Sequence, residues 1–371
     1  MSIQYHYDQF PPKSLDWEKI MPWLSQTSAA IARYDSLFSS LPNAHVLKNI
    51  LTTKEAILSS RIEGIRGSMS EVLEFDATRD RGNVPKNRQG VLEDILNCRQ
   101  AMHTAWDLLK TLPLSQRAVQ KLHEILLSGI RGETKTPGEY RKVSNWISPY
   151  KCSIGNASFV PISADKLPLG MDRWEEFVQA DFPDVLTQLA ILHAEFEALH
   201  PFLDGNWRIG RMLIPLFLWQ KGLIEQPLFY ASAVFKHDRE DYYQKLREVS
   251  AKNAWTQWCV FFLQALQRQA KASLAKAQEI LGLYDRLKEK MQSHLNAKYA
   301  LQALDWIFMA PVFTSSNFTM KSGIPSATAR RILPVLVQAG ILTIQTPASG
   351  RRPAVYSCTE LLGLTEKADA L

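Results

Sequence analysis

The stretch LTQLAILHAEFEALHPF, residues 186–202, leaves little freedom to whatever surrounds it. Leu189, Leu192, Phe196 and Leu199 recur three and four apart, the spacing of a helix with a buried side. Pro201 ends that helix, because proline disfavours the α conformation in the residue before it. LDGNWR follows, and then an apolar run to Lys221 that reads as a second helix starting near Asn206–Arg208. Such a chain has two adjacent helices joined by a tight loop. Gly205 and Asn206 at the head of the second helix leave backbone N–H groups and the positive end of the helix dipole facing outward. That is a ready anion site.

Elsewhere the same helical spacing predominates. It predicts helices over 24–37, 43–62, 90–110, 114–129, 169–180, 183–199, 238–249 and 252–281, with Ser115 capping the fourth. Residues 65–88, with Arg79, Asp80, Arg81, Gly82, Pro85 and Lys86, read as a polar loop or mobile segment. Residues 131–168 are rich in Gly, Pro, Ser and Asn, and 143–147 pairs with 158–162 as a short hairpin. An exposed Ala/Lys/Gln-rich connector runs to about 295. Then come helices at 298–310, 315–322 and 327–339 and two β-like runs, 341–345 and 354–358, joined by TPASGRRP. Helix, short helix, helix, hairpin is the order of a winged helix-turn-helix.

Composition narrows the setting. At 371 residues there is room for two or three domains. A net charge of +6 permits a polyanionic partner without requiring one. Cys98, Cys152, Cys259 and Cys358 lie far apart with no CxxC pair, which predicts neither a zinc knuckle nor a disulfide framework, and points to a reducing cytoplasm. The opening MSIQYHYDQFPPKSLDW lacks the apolar core of a signal peptide. The run MLIPLFLW, 212–219, falls far short of the roughly 18 residues that span a bilayer, so no membrane is expected.

The side chains around the loop supply the chemistry. Arg208 and Arg211 are three apart and project from one side of the second helix. Two guanidinium groups beside an anion nest suit a polyphosphate. Asp204 offers a carboxylate to Mg²⁺, which takes its other oxygens from phosphate. His200 is placed to act as a general base near neutral pH. Each residue alone has a plainer reading: a helix-end histidine, an Asp-Gly turn, a solvated arginine face. Their arrival within twelve residues favours the functional one. A metal site on His193 and His200 lacks a third ligand.

The stretch HPFLDGNWRIGR, 200–211, resembles the signature of the Fic family, HxFx(D/E)GNGRxxR. The resemblance implies a mainly α fold, with a Fic-type helical core, a β-hairpin flap, and AMP transfer from ATP to a hydroxyl of a target protein. By it His200 deprotonates the hydroxyl and Asp204 holds Mg²⁺. Gly205, Asn206, Trp207, Arg208, Gly210 and Arg211 line the nucleotide phosphates, and Phe202 is buried to fix the loop. Trp207 departs from the family's usual glycine, and an indole there would crowd the β-phosphate or pack aside. De-AMPylation, another nucleotidyl or phosphoryl transfer, or nucleotide sensing by a DNA-binding regulator are the alternatives.

SSRIEG, 59–64, gains meaning beside it. Ser59 and Glu63 are four apart on one helix face, and the pattern resembles the family's inhibitory helix, (S/T)xxxE(G/N). The resemblance implies that Glu63 pairs with Arg211 in the place of the γ-phosphate. It also sets Asn145, Trp146 and Ile147 in the target-docking flap, and Tyr242 and Tyr243 beside the adenine. The division it suggests is 1–110 with the inhibitory helix at about 44–64, a core at 111–275, a connector at 276–297 and a winged helix at 298–371. On the last, Arg330 and Arg331 on the recognition helix and Arg351 and Arg352 at the wing tip are the candidate DNA contacts. A second copy of the chain is a further candidate partner.

Overall fold

The computed structural model describes residues 2–39, 45–78, 84–129, 132, 134–148 and 153–366. Arg79, Asp80, Arg81, Gly82 and Cys152, and residues 149–151 of the expected flap, lie outside them. Two helices form the centre. α7 (Val185–Leu199) begins at Asp184, whose Oδ1 accepts from the Thr187 N–H at 2.6 Å, and every residue from Leu186 to Leu199 is buried. α8 (Asn206–Gln220) packs along it and is buried from Arg208 to Leu218. Burying both helices on nearly all sides is what fixes the short loop between them.

The remaining helices wrap this pair. They are α1 (Trp17–Ser39), α2 (His45–Ile62), α3 (Met69–Thr78), α4 (Lys86–Leu109), α5 (Gln116–Leu126) and α6 (Leu167–Gln179) before it. After it come α9 (Ser232–His237), α10 (Arg239–Lys252) and α11 (Trp255–Gln292). α11 packs along α1 and against α7, while α2 sits against α4, α8 and α9. Ser115 caps α5 by accepting from the Ala118 N–H at 3.4 Å.

The polar loop expected over 65–88 holds α3 instead. Its start is a capping box: the Glu71 N–H donates to Ser68 Oγ at 3.1 Å, and the Ser68 N–H donates to Glu71 Oε2 at 3.0 Å. Met69, Val72, Leu73 and Phe75 then bury one face. The expected exposed connector is largely the second half of α11, whose Ala277, Ile280, Leu283, Leu287 and Met291 are buried. The expected hairpin is reduced to one antiparallel bridge, Ile147 to Phe159. The outer edge of the Phe159 segment is taken by the N-terminus: β1 (Ile3–Gln4) runs parallel to β2 (Phe159–Val160).

The C-terminal residues form α12 (Ala297–Met309), β3 (Val312–Thr314), α13 (Ser315–Lys321), α14 (Ser326–Gln338), β4 (Thr343–Thr346), β5 (Val355–Ser357) and α15 (Thr359–Glu366). The three strands make one antiparallel sheet in the order β3-β5-β4. Their core is Leu304, Ile307, Phe308, Phe313, Phe318, Ile332, Leu333 and Leu336. No helix among the described residues is long and apolar enough to cross a membrane.

Candidate active site

The loop between α7 and α8 is held rigidly by side chains that bond its backbone. His200 closes α7 in the left-handed conformation, φ 46° and ψ 59°, which a non-glycine residue adopts only when its surroundings enforce it. Arg141, itself buried, does the enforcing. Its Nε donates to the His200 carbonyl at 2.9 Å, one Nη to Val143 O at 3.1 Å, and the other to Leu199 O at 3.2 Å and to Ile162 O. Asn206 reaches back across the loop: its Oδ1 accepts from the Phe202 N–H and its Nδ2 donates to Phe202 O, both at 2.8 Å. The Asn206 side chain is thus spent on the loop itself, and what it can offer an anion is its backbone N–H.

Phe202 is fully buried and stacks on His123, centroids 3.7 Å apart at 8°. His123 Nδ1 accepts from the Gly138 N–H at 2.9 Å, so Nε2 carries the proton and donates to Asp204 O at 3.0 Å. Burial lowers the His123 pKa to about 4, which keeps that neutral tautomer in place. Arg141 and His123 escaped the sequence reading because nothing in their local pattern marks them; only the fold carries them to the loop.

Gly205 begins α8 at φ 77°, a conformation that favours glycine. Asp204 Oδ1 accepts from the Gly205 N–H at 2.6 Å and pairs with Arg208 at 3.3 Å. Its side chain is 44% exposed, so it also faces solvent. Among the described residues no three His, Cys, Asp or Glu side chains gather as a metal cluster. A metal ion at Asp204 would therefore take most of its oxygens from substrate and water.

Arg208 and Arg211 are buried, and both meet Glu63, which stands just beyond the end of α2. Arg208 Nε lies 2.9 Å from Glu63 Oε2, an ion pair without hydrogen-bond alignment. Arg211 Nη2 lies 3.1 Å from Glu63 Oε1 and also donates to Ser59 O at 2.9 Å, while its Nε donates to Ser59 Oγ at 2.9 Å. Burial, the largest single influence, would lower both guanidinium pKa values, but Glu63 together with Asp204 at Arg208, and Glu63 together with Tyr242, Tyr243 and Glu197 at Arg211, leaves both raised. Nη1 of each arginine is buried with no hydrogen-bond partner. Two such donors carried by the first turns of α8 fit the oxygens of a polyanion.

His200 stands on the other side of the loop. Burial, seconded by the charge of Arg141, lowers its pKa to about 3. The imidazole is therefore neutral, but without substrate it is a weaker base than the sequence predicts, because burial disfavours its charged form. Trp207 lies against it, ring centroids 5.9 Å apart, and makes an edge contact of 4.8 Å with Tyr243. The two tyrosines differ. Tyr242 is fully buried and bonded to His193 Nε2 at 2.7 Å, whereas Tyr243 is partly exposed beside the indole. His193 is a core residue, with Nδ1 3.2 Å from Gly210 O.

Gly210 faces α7 and lies away from the loop: a Cβ there would fall 2.1 Å from Glu197 Oε1. Asn145 Nδ2 donates to Phe202 O at 3.2 Å, Trp146 is 42% exposed, and Ile147 makes the bridge to Phe159. Arg330 and Arg331 are exposed on α14, and Arg351 and Arg352 are exposed between β4 and β5, far along the chain from the loop.

Residues 21–107 match the Fic/DOC family N-terminal region and residues 113–218 the Fic/DOC family itself, together just over half of the chain. A probable protein adenylyltransferase of Aquifex aeolicus (strain VF5) is 26% identical over 239 residues, 64% of this chain and 65% of its own length. Protein adenylyltransferase Fic of Nematostella vectensis is 26% identical over 116 residues, 30% of this chain and 24% of its own length. The chain thus spans less than two thirds of these relatives. The fold is similar to that of a Fic family protein from Desulfovibrio desulfuricans G20, with a TM-score of 0.59 at 21% identity over 94% of this chain and 98% of that one.

Proposed function

The chain belongs to the Fic/DOC family, and on that premise we propose that it transfers AMP from ATP to a Ser, Thr or Tyr hydroxyl of a target protein and is restrained by its own Glu63. The observation that carries this reading is the meeting of Arg208, Arg211 and Glu63 beside the loop that begins at His200. His200 takes the proton of the hydroxyl as its oxygen bonds to the α-phosphorus; the bond from that phosphorus to the bridging oxygen breaks, and pyrophosphate leaves. The N–H groups opening α8, with Arg208 and Arg211, hold the phosphates and offset the charge on the leaving group. A phosphate chain near His200 raises its pKa from about 3, so the base strengthens when substrate is bound. Asp204 would hold Mg²⁺, which neutralises phosphate charge. An arginine cannot fork to a carboxylate and to a phosphate at once, so Glu63 and a productive triphosphate compete.

The test is transfer from α-labelled ATP with Mg²⁺ by wild type, Glu63→Gly and Glu63→Gly/His200→Ala. Label on protein in the Glu63→Gly form, lost with His200, is the expected result. ATP bound without label in any form would overturn the chemistry and leave nucleotide sensing. The setting proposed is a reducing cytoplasm; Cys98, Cys259 and Cys358 are buried free thiols.

Residues 298–371 support a second reading, a winged helix that meets duplex DNA. Between Asp305 and Glu360 the sequence has Lys321, Arg330, Arg331, Arg351 and Arg352 and no acid at all. That one-sided charge suits phosphates.

A further inference from the structure

The C-terminal module is seated on the segment that carries Glu63. α12 packs against α2, where Asn49 Nδ2 donates to Met309 O at 3.2 Å. α3 packs against β3 and α15, and Asn317 Nδ2 of α13 donates to Ala77 O at 3.1 Å. Glu63 stands in the six-residue link, 63–68, between α2 and α3. That link is taut: Arg61 Nη2 donates to Gly67 O at 2.8 Å, and Arg88 Nη1 donates to Arg66 O at 2.6 Å. A shift of α3 against α2 must therefore be felt at Glu63.

The module also carries exposed cations. Arg330 and Arg331 are exposed on α14 and Arg351 at the turn between β4 and β5. Two of the module's acids are tied to α11, Asp305 bonded to Tyr284 and Glu360 to Arg286. α13 has a part in both the seating and the exposed charge. Its Asn317 is held by α3, while Met320 is 71% exposed and Lys321 exposed at its end. In a helix-turn-helix the first helix crosses the DNA backbone and the second enters the major groove.

We propose that duplex DNA bound across α13, α14 and the β4–β5 turn competes with the seating of α13 on α3, and so loosens Glu63 from Arg208 and Arg211. The inference rests on the second reading above. Linkage then acts in both directions: DNA raises the affinity for a nucleoside triphosphate, and the triphosphate raises the affinity for DNA by the same factor.

The experiment uses the full chain, a fluorescent mixed-sequence duplex of about two helical turns, and a non-hydrolysable ATP analogue with Mg²⁺. Saturating duplex is expected to tighten analogue binding by about five-fold or more, the lower range of measured couplings. Arg330→Glu/Arg331→Glu, on an exposed face, should abolish duplex binding and with it the effect. Asn317→Ala should tighten analogue binding without DNA, and Glu63→Gly should make analogue binding insensitive to DNA. No duplex binding by the wild type, or analogue affinity unmoved by saturating duplex, overturns the proposal. Both readouts are binding, so a failure of AMP transfer in the Glu63→Gly protein is a separate result.

Discussion

Ser59 and Glu63 divide the restraint on Arg211 unequally. Glu63 touches both arginines, whereas Ser59 holds Arg211 through a hydroxyl and, independently of its side chain, through a carbonyl. Ser59→Ala removes only the hydroxyl, one hydrogen bond to a charged donor worth about 1.5–3 kcal/mol. It should raise AMP transfer less than Glu63→Gly does, and a rate equal to that of Glu63→Gly would place the restraint on Ser59 instead. Trp207 presents the other residue-scale question. Its indole fills the space between His200 and Tyr243. In the Glu63→Gly background, Trp207→Gly should raise transfer several-fold. It should also cost stability, about 1 kcal/mol for glycine in a helix and about 0.5–1.5 kcal/mol for lost ring contacts. Transfer lost from a protein that still unfolds cooperatively would make the indole a substrate contact.

At the scale of elements, the approach of α8 to α7 depends on Gly210. A methyl group there would meet Glu197 Oε1 at 2.1 Å and Phe196 Cδ1 at 3.3 Å, and α7 has no free side to yield toward. Gly210→Ala should therefore lower stability by about 1–3 kcal/mol, the usual cost of overpacking. Denaturant melts of Gly210→Ala, and of Gly210→Ala/Glu197→Ala, check this; the double variant should recover part of the loss. Helices with strong apolar spacing, such as α7 and α8, were legible in the sequence to within a residue or two. α3 was missed because its ends are polar, although SMSE carries a capping box. The pairing of β1 with β2 was invisible, since two-residue strands have no period and their partners lie far apart in sequence. In the site, His200, Asp204, Arg208 and Arg211 were readable because they crowd one short stretch. Arg141 and His123 were not, because they bond the loop's carbonyls from distant elements. The motif groups Gly210 with the phosphate loop, whereas its close approach is to Glu197; glycine in a motif marks a close approach without saying of what.

For the whole molecule, imidazoles wholly or partly shielded from water set the pH range. Burial lowers His103 and His123 to about 4 and His193 and His200 to about 3. In the unfolded chain each takes up a proton near pH 6.5. Below that pH the unfolded state binds more protons, so stability falls as the pH is lowered toward the folded values. Glu55 and Glu197 act in the opposite sense. Burial raises Glu55 to about 7 and Glu197 well above its ordinary value, so the fold keeps protons that the unfolded chain has released above about pH 4.3. Four histidines against two glutamates leave a net loss on acidification. Urea melts at pH 7, 6 and 5 should show the midpoint falling, most steeply over the last unit. Glu55→Gln should steepen the fall, because it removes one of the groups that offset it. A midpoint that holds or rises to pH 5 would mean that these imidazoles gain their protons inside the fold, so that burial does not hold them neutral.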